Sequence, residues 1–104
     1  MENKSKAETF IGFAIRTGKF RIGTNAVQTL KRAYLMIVCS TASQNTKEQA
    51  EKIAKKFHCQ LIETASATLE QLTHRDNAKV MAIADKNLSV AILENMEKDF
   101  IARI

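Results

Sequence analysis

The sequence predicts an α/β protein, a three-layer α-β-α sandwich around a central mixed four-stranded sheet. Two segments, residues 34–40 and 79–84, contain runs of consecutive apolar residues and are too short to be helices of their own. Such runs are typical of strands buried on both faces. Apolar residues at helical spacing lie before and after them, and strands that alternate with helices pack as a sheet covered on each side. With 104 residues, 45% of them hydrophobic, the chain is predicted to form one domain, residues 1–104.

The first helix is predicted over residues 5–17. Its apolar residues at helical spacing are Phe10, Phe13 and Ala14, with Ile11 as a further candidate. Gly18 stands where this helix would end, since glycine is common just past a helix C-terminus. Gly12 lies inside the helix at a cost of about 1 kcal/mol relative to alanine, which hints at close packing against another backbone.

A very short strand over residues 20–22 and a second helix follow. Gly23-Thr24-Asn25 supplies capping chemistry at the start of that helix. The predicted buried face of the helix comprises Ala26, Val27, Leu30 and Ala33. The next element is the buried strand of residues 34–40.

The second half of the chain is predicted to add three helices and two strands. Thr46 and Gln49 form a capping box for the third helix, which extends to Phe57. A brief strand over residues 60–63, a short helix over residues 67–72 and the strand of residues 79–84 follow. Apolar residues then step by four, which predicts a final helix that begins near residues 85–87. These residues are Leu88, Ile92, Met96, Phe100 and Ile104.

The positive charge of the chain is concentrated in its first half. The formal net charge is +5, with +7 on residues 1–57 and −2 on residues 58–104, and no Asp or Glu occurs between Glu8 and Glu48. Because Lys and Arg bind phosphates by releasing counterions, this asymmetry suggests a polyanionic partner. The alternative is a basic surface that only keeps the protein soluble.

The sequence also indicates the cellular compartment in which the protein is expected. The longest apolar stretch, residues 33–39, is far shorter than the roughly 20 residues of a membrane span. Residues 1–6 lack the apolar stretch of a secretory signal, so we expect a cytoplasmic protein with no membrane partner. Cys39 and Cys59 are expected to be reduced and buried, the alternative being a redox pair.

A search for catalytic groups finds little. His58 and His74 are not spaced to place two metal ligands on one helical face, and no Gly-rich phosphate loop is present. A thiolate pair of Cys59 with either histidine is disfavoured. The sequence therefore predicts a protein that is not an enzyme, with no catalytic residue, no metal site and no cofactor.

The most informative segment surrounds the start of the second helix. Unpaired backbone N–H groups and the helix dipole favour a phosphate there, and Asn25 has the short amide that reads a base edge. The alternative for Thr24 and Asn25 is helix capping alone. Phe20 is a candidate for base stacking, with placement in the core as the alternative. The candidate phosphate contacts are Lys19, Arg21, Lys31 and Arg32.

Three motifs resemble the kink-turn RNA-binding ribosomal protein family, in particular its bacterial YlxQ-like members. Residues 12–19, Gly-Phe-Ala-Ile-Arg-Thr-Gly-Lys, are similar to the family's opening "G-L-A-x-R-A-G-K". Residues 43–47 resemble its "S-x-N-T-K" helix start, and residues 80–86 its last strand and turn. The similarity covers nearly the whole chain.

The resemblance implies a helix-sheet-helix sandwich that binds a sharply bent RNA duplex with tandem sheared G·A pairs. A Gly-x-Asn-Glu motif of the family contacts the guanines, and it matches Gly23-Thr24-Asn25-Ala26 here. The resemblance implies that Asn25 contacts the bases, whereas Ala26 stands where the family has the glutamate. One lost base contact is worth roughly 1–3 kcal/mol. Thr29 stands where the family has a lysine, although Lys31 and Arg32 lie within a turn of it.

The family makes a second RNA contact through the loop before the last strand, where apolar residues pack on an extruded nucleotide. The matching residues 73–79 are polar here. His74 or Arg75 could stack on a base or contact phosphate instead, and a solvated loop is the alternative.

The leading hypothesis is a ribosome-associated RNA-binding protein that recognises a kink-turn-like RNA. Its RNA-binding residues would be Lys19, Arg21, Gly23, Thr24, Asn25, Lys31, Arg32, His74 and Arg75. One alternative is a protein-interaction module of the same fold that has lost specific RNA binding, which Ala26 and Thr29 would permit. A second alternative is the substrate-recognition part of an RNA ribose methyltransferase. It ranks last because 104 residues leave no length for a cofactor-binding domain.

Overall fold

The computed structural model describes residues 5–103, so Lys4 and Ile104 lie outside the described residues. Helices and strands alternate throughout this range. The helices are α1 (Lys6–Thr17), α2 (Thr24–Val27), α3 (Gln44–Phe57), α4 (Leu69–Thr73) and α5 (Lys86–Glu94). The strands are β1 (Phe20–Ile22), β2 (Leu35–Val38), β3 (Gln60–Thr64), β4 (Val80–Ile83) and β5 (Phe100–Ala102).

The five strands form one mixed sheet in the order β1-β4-β2-β3-β5. Strands β2 and β3 are parallel, and the other three pairs are antiparallel. The two central strands, β2 and β4, are buried at every residue, as their continuous apolar sequences predict. The predicted α/β class is confirmed, and the predicted four strands are corrected to five because β5 adds an edge.

Helices cover both faces of the sheet. Register places Glu63 of β3 on the same face as Val38 and opposite to Ile62. Glu63 forms ion pairs with Lys47 of α3 and with Arg103, which also pairs with Glu51 of α3. Helix α3 therefore covers this face, with α2 beside it, while α1 packs against α4 and α5 in the other layer.

The predicted final helix is wrong beyond Glu94. Asn95 ends α5, because its side-chain amide donates to the carbonyl oxygen of Ala91 at 2.7 Å and its backbone N–H donates to Ile92. Phe100 is then buried in β5, where it pairs with Thr64 of β3. Its step of four from Met96 follows the helical pattern only by coincidence, since residues 96 to 99 turn the chain back to the sheet.

Helix α1 ends as predicted, whereas the cap of α3 differs from the prediction. Gly18 ends α1 in the left-handed region with φ of 72°, as predicted. Ser43, not Thr46, caps α3, because the Ser43 hydroxyl accepts the N–H of Thr46 at 3.1 Å. A capping box is present instead at α4, between Thr68 and Gln71.

Gly12 does not make the close approach that its place in α1 suggested. A methyl group added at Gly12 would meet no heavy atom of another element within 4 Å among the described residues. Within the same range, no helix combines the length and the apolar character that crossing a bilayer requires.

Candidate nucleic-acid interface

The entrance of α2 lies at the end of the sheet where β1 finishes. Gly23 has a φ of 98°, which glycine adopts at little cost, and its N–H donates to the Val80 carbonyl oxygen at 2.8 Å. This bond brings the entrance next to the loop of residues 74–79, which precedes β4. The two segments that the resemblance assigns to RNA binding are therefore neighbours.

Asn25 is exposed on the second residue of α2. In the described chain no side chain caps this helix, so Thr24 and Asn25 do not serve as caps. The capping interpretation of these two residues is wrong, and the Asn25 carboxamide is open to solvent.

A shallow cavity of about 320 Å³ lies between α2 and α3, and we call it the α2–α3 groove. It is lined by Thr24, Asn25, Gln28, Gln49, Lys52 and Ile53. Three of these residues carry amides, which both donate and accept hydrogen bonds, and Lys52 adds a positive charge. The lining therefore suits a ligand with base edges and a phosphate.

Helix α2 is a single turn, shorter than predicted. The Thr29 hydroxyl donates to the Ala26 carbonyl oxygen at 2.6 Å, and the Gln28 amide donates to Thr24 at 3.1 Å. The backbone N–H of Leu30 bonds to Val27, three residues back, which tightens the last turn. These bonds satisfy the carbonyl groups at the helix end, so the chain leaves the helix before it reaches Lys31.

Lys31 and Arg32 consequently lie beyond the end of α2 and not at its entrance. They precede Tyr34, whose N–H bonds to the carbonyl oxygen of Ile83 at the end of β4. Gly23 bonds to Val80 at the start of β4, so the two sites are at opposite ends of that strand. The expected rim of cations around the α2 entrance is thus corrected.

Lys31 and Arg32, together with Lys56 of α3, line a second cavity, of about 410 Å³, which we call the basic cavity. It is lined by Lys31, Arg32, Ala33, Tyr34, Lys56, Phe57, His58 and Cys59. Of the described residues that line either cavity, none is acidic. Both cavities lie along α3 and share its exposed side.

Arg21 lies on the edge strand β1, Lys19 directly precedes that strand, and both residues are exposed. The Lys19 carbonyl oxygen accepts the N–H of Ala84, so Lys19 lies at the same end of the sheet as Tyr34. Arg21 pairs in register with Ala82, and its guanidinium donates to the Phe20 carbonyl oxygen at 2.7 Å. Neither side chain lines one of the two cavities.

His74 and Arg75 begin the loop before β4 and are exposed. His74 ends α4 in the left-handed region. The Arg75 guanidinium lies 5.1 Å from the centre of the Phe20 ring, in cation–π range. Phe20 is half-buried against the core. Arg75 therefore contacts the Phe20 ring, which is packed in part against the core, as the alternative to base stacking predicted.

Three other cations, Lys47, Lys79 and Arg103, form ion pairs with carboxylates. Lys79 donates to Glu70 at 2.8 Å and to Thr41 at 2.9 Å. The hydrogen bond from Lys79 lowers the pKa of Glu70, and Glu70 in turn raises the pKa of Lys79. Lys47 and Arg103 belong to the ion pairs around Glu63.

Lys52 and Lys56 are cavity residues that sequence reasoning did not single out. They lie four residues apart on α3 and so share one side of that helix. This spacing is visible in the sequence. The position of Lys52 opposite α2 and of Lys56 opposite residues 31–34 depends on the tertiary structure.

The two thiols differ in environment. Burial disfavours the Cys39 thiolate, yet contacts with Thr41 Oγ1 and the Leu69 N–H lower its pKa overall. Burial raises the pKa of Cys59 to about 11. Among residues 5–103, no three His, Cys, Asp or Glu side chains are grouped so that they could hold a metal ion.

No family model and no curated protein matches the chain. A solved structure from Bacillus halodurans C, described as a protein with unknown function, is similar with a TM-score of 0.75. The two chains are 18% identical, and the match covers 90% of this chain and 99% of that one. At this identity the likeness establishes that the α/β fold is shared.

Proposed function

We propose that this protein is a non-enzymatic RNA-binding protein that recognises kink-turn-like bent RNA with sheared G·A pairs. Its base-reading surface would be the α2 entrance, Gly23 to Asn25, together with the α2–α3 groove. We further propose that it acts in the cytoplasm and associates with the ribosome. Its two free cysteines accord with a reducing compartment.

The observation that carries the proposal is the position of Asn25. Its carboxamide is exposed, does not cap α2 and lines a groove with Lys52. A short amide held beside a cation suits simultaneous contact with a base edge and a backbone phosphate. Because the groove-lining residues of the described chain include no carboxylate, phosphate approaches without repulsion from the lining.

The positive charge of the groove gives a physical reason why the protein would bind bent RNA more tightly than unbent RNA. A bend brings phosphates of the same molecule closer together, and fixed cations lower their mutual repulsion. A protein that binds the bent form more tightly shifts the RNA population toward it. This requires no catalysis.

The proposal is tested by affinities for a kink-turn RNA and for the same RNA with its G·A pairs replaced. We expect tighter binding of the kink-turn. Asn25→Ala should weaken kink-turn binding by about 5- to 150-fold, the equivalent of roughly 1–3 kcal/mol, and should change the other affinity little. Asn87→Ala is the matched control, since Asn87 is also exposed at the second residue of its helix.

Equal affinities of the wild-type protein for the two RNAs would reject structural recognition. Co-purification with a protein and without RNA would instead favour the interaction-module alternative. Ribosome association is tested separately, by whether the protein sediments with ribosomes from a lysate at moderate salt.

A further inference from the structure

The basic cavity concentrates positive charge at the opposite end of β4 from the α2 entrance. Lys31, Arg32 and Lys56 border it, with His58 beside them. Helix α3 ends here, and its C-terminus contributes a partial charge of about −0.5. Three full cations outweigh that partial charge. The described lining residues include no acidic group, so the cavity attracts an anion.

The basic cavity lies next to the α2–α3 groove along α3. Lys52 lines the groove and Lys56 lines the cavity. A separation of four residues corresponds to about 6 Å along a helix axis. One nucleic-acid strand that contacts Lys52 therefore reaches Lys56 within a few nucleotides.

We infer that the basic cavity binds a backbone phosphate of the same RNA that contacts Asn25. The bound strand would then run along α3 from the α2 entrance to Lys31, Arg32 and Lys56. This inference rests on the proposed function and adds a contact that positions RNA without reading its sequence. It also gives a role to Lys31 and Arg32, which line the basic cavity and not the α2–α3 groove.

The first test compares Lys56→Gln with Lys55→Gln. The two lysines are adjacent and exposed on the last turn of α3, and only Lys56 lines the cavity. The measurement is the slope of log affinity against log salt concentration. Lys56→Gln should reduce the slope by about 0.7 to 0.9, the contribution of one phosphate contact, for kink-turn and G·A-replaced RNA alike. Lys55→Gln should leave it nearly unchanged. Equal reductions in both variants would overturn the inference and leave net charge as the explanation.

The second test uses Cys59, which lines the cavity and reports occupancy independently of charge. The modification rate of Cys59 by N-ethylmaleimide, a neutral reagent, is measured by peptide mass spectrometry. Saturating RNA should slow it several-fold, and inorganic pyrophosphate at the same phosphate concentration should not. Protection by pyrophosphate but not by RNA would overturn the assignment to RNA backbone and leave a site for a small free phosphate.

The two proposals fail in distinguishable ways. Kink-turn preference without protection of Cys59 would overturn the cavity contact and leave the proposed function standing. Protection of Cys59 and a Lys56-dependent slope without kink-turn preference would support the cavity contact and reject recognition of bent RNA.

Discussion

The Thr29 hydroxyl donates a 2.6 Å hydrogen bond to the carbonyl oxygen of Ala26, and this contact helps to end α2 after one turn. The chain then runs to the opposite end of the sheet before β2 begins. Asn25 is thereby separated from Lys31, and α3 contributes lining residues to the cavities at both positions. The candidate interface is thus a strip along α3, with amides at one end and cations at the other.

Under the proposed function, a glutamate at position 26, as in the Gly-x-Asn-Glu motif that residues 23–26 resemble, should sharpen recognition. Ala26 occupies the third position of α2, where glutamate favours a helix N-terminus. Ala26→Glu is expected to tighten kink-turn binding by roughly 1–3 kcal/mol, because its carboxylate can accept a hydrogen bond from a guanine. Ala26→Gln controls for charge. The prediction fails if G·A-replaced RNA gains as much affinity as the kink-turn.

Gly12→Ala should stabilise the protein. Gly12 lies inside α1, and an added methyl group meets no heavy atom of another element within 4 Å in the described structure. The substitution is expected to add about 0.5–1 kcal/mol to the free energy of unfolding measured in urea. Gly18→Ala is the contrasting variant, expected to cost about 1 kcal/mol because Gly18 has a φ of 72°. Destabilisation by Gly12→Ala would reveal a packing constraint at that position.

Stability should fall at alkaline pH through Cys59. Its pKa is about 11 when folded, against 9.0 for an unperturbed thiol. The folded state therefore retains a proton that the unfolded state loses, and the resulting stabilisation decreases as the pH rises from 9 to 11. We expect a contribution of about 1–2 kcal/mol, reduced for partial solvent exposure. The measurement is urea unfolding at pH 8.5 and 10.5, and Cys59→Ala should lose less stability than the wild type. Identical losses would contradict the prediction.

The C-terminal strand gives a fourth test. Phe100 is 3% exposed and Ile101 is 55% exposed in β5. Phe100→Ala should cost about 3–5 kcal/mol of unfolding free energy, since it leaves a cavity in the core. Ile101→Ala should change stability by less than about 0.5 kcal/mol. Comparable losses for the two variants would contradict the placement of β5.

Much of the fold was predictable because its signals are local. The continuous apolar character of β2 and β4 required burial on both faces, and Gly18 marked the end of α1. The predicted final helix failed because Met96 and Phe100 keep helical spacing while the backbone turns between them. Strand β5 pairs with β3, and Arg103, which follows β5, forms ion pairs with Glu51 and Glu63. These partners lie about 40 to 50 positions earlier in the sequence. Local periodicity contains no information about such partners.

The candidate site also has some features that the sequence predicts and others that only the tertiary structure decides. Residue types alone determined which side chains could bind phosphate or read a base, and they made Asn25 and the cations of residues 19 to 32 candidates for these roles. Only the tertiary structure decided where those groups lie, because α2 ends through local hydrogen bonds while α3 packs beside it from a distant part of the chain. Charge and chemistry are properties of the residues, whereas proximity is a property of the packed chain. For that reason Lys52 and Lys56 become candidate interface residues only in the folded protein, where they line the two cavities.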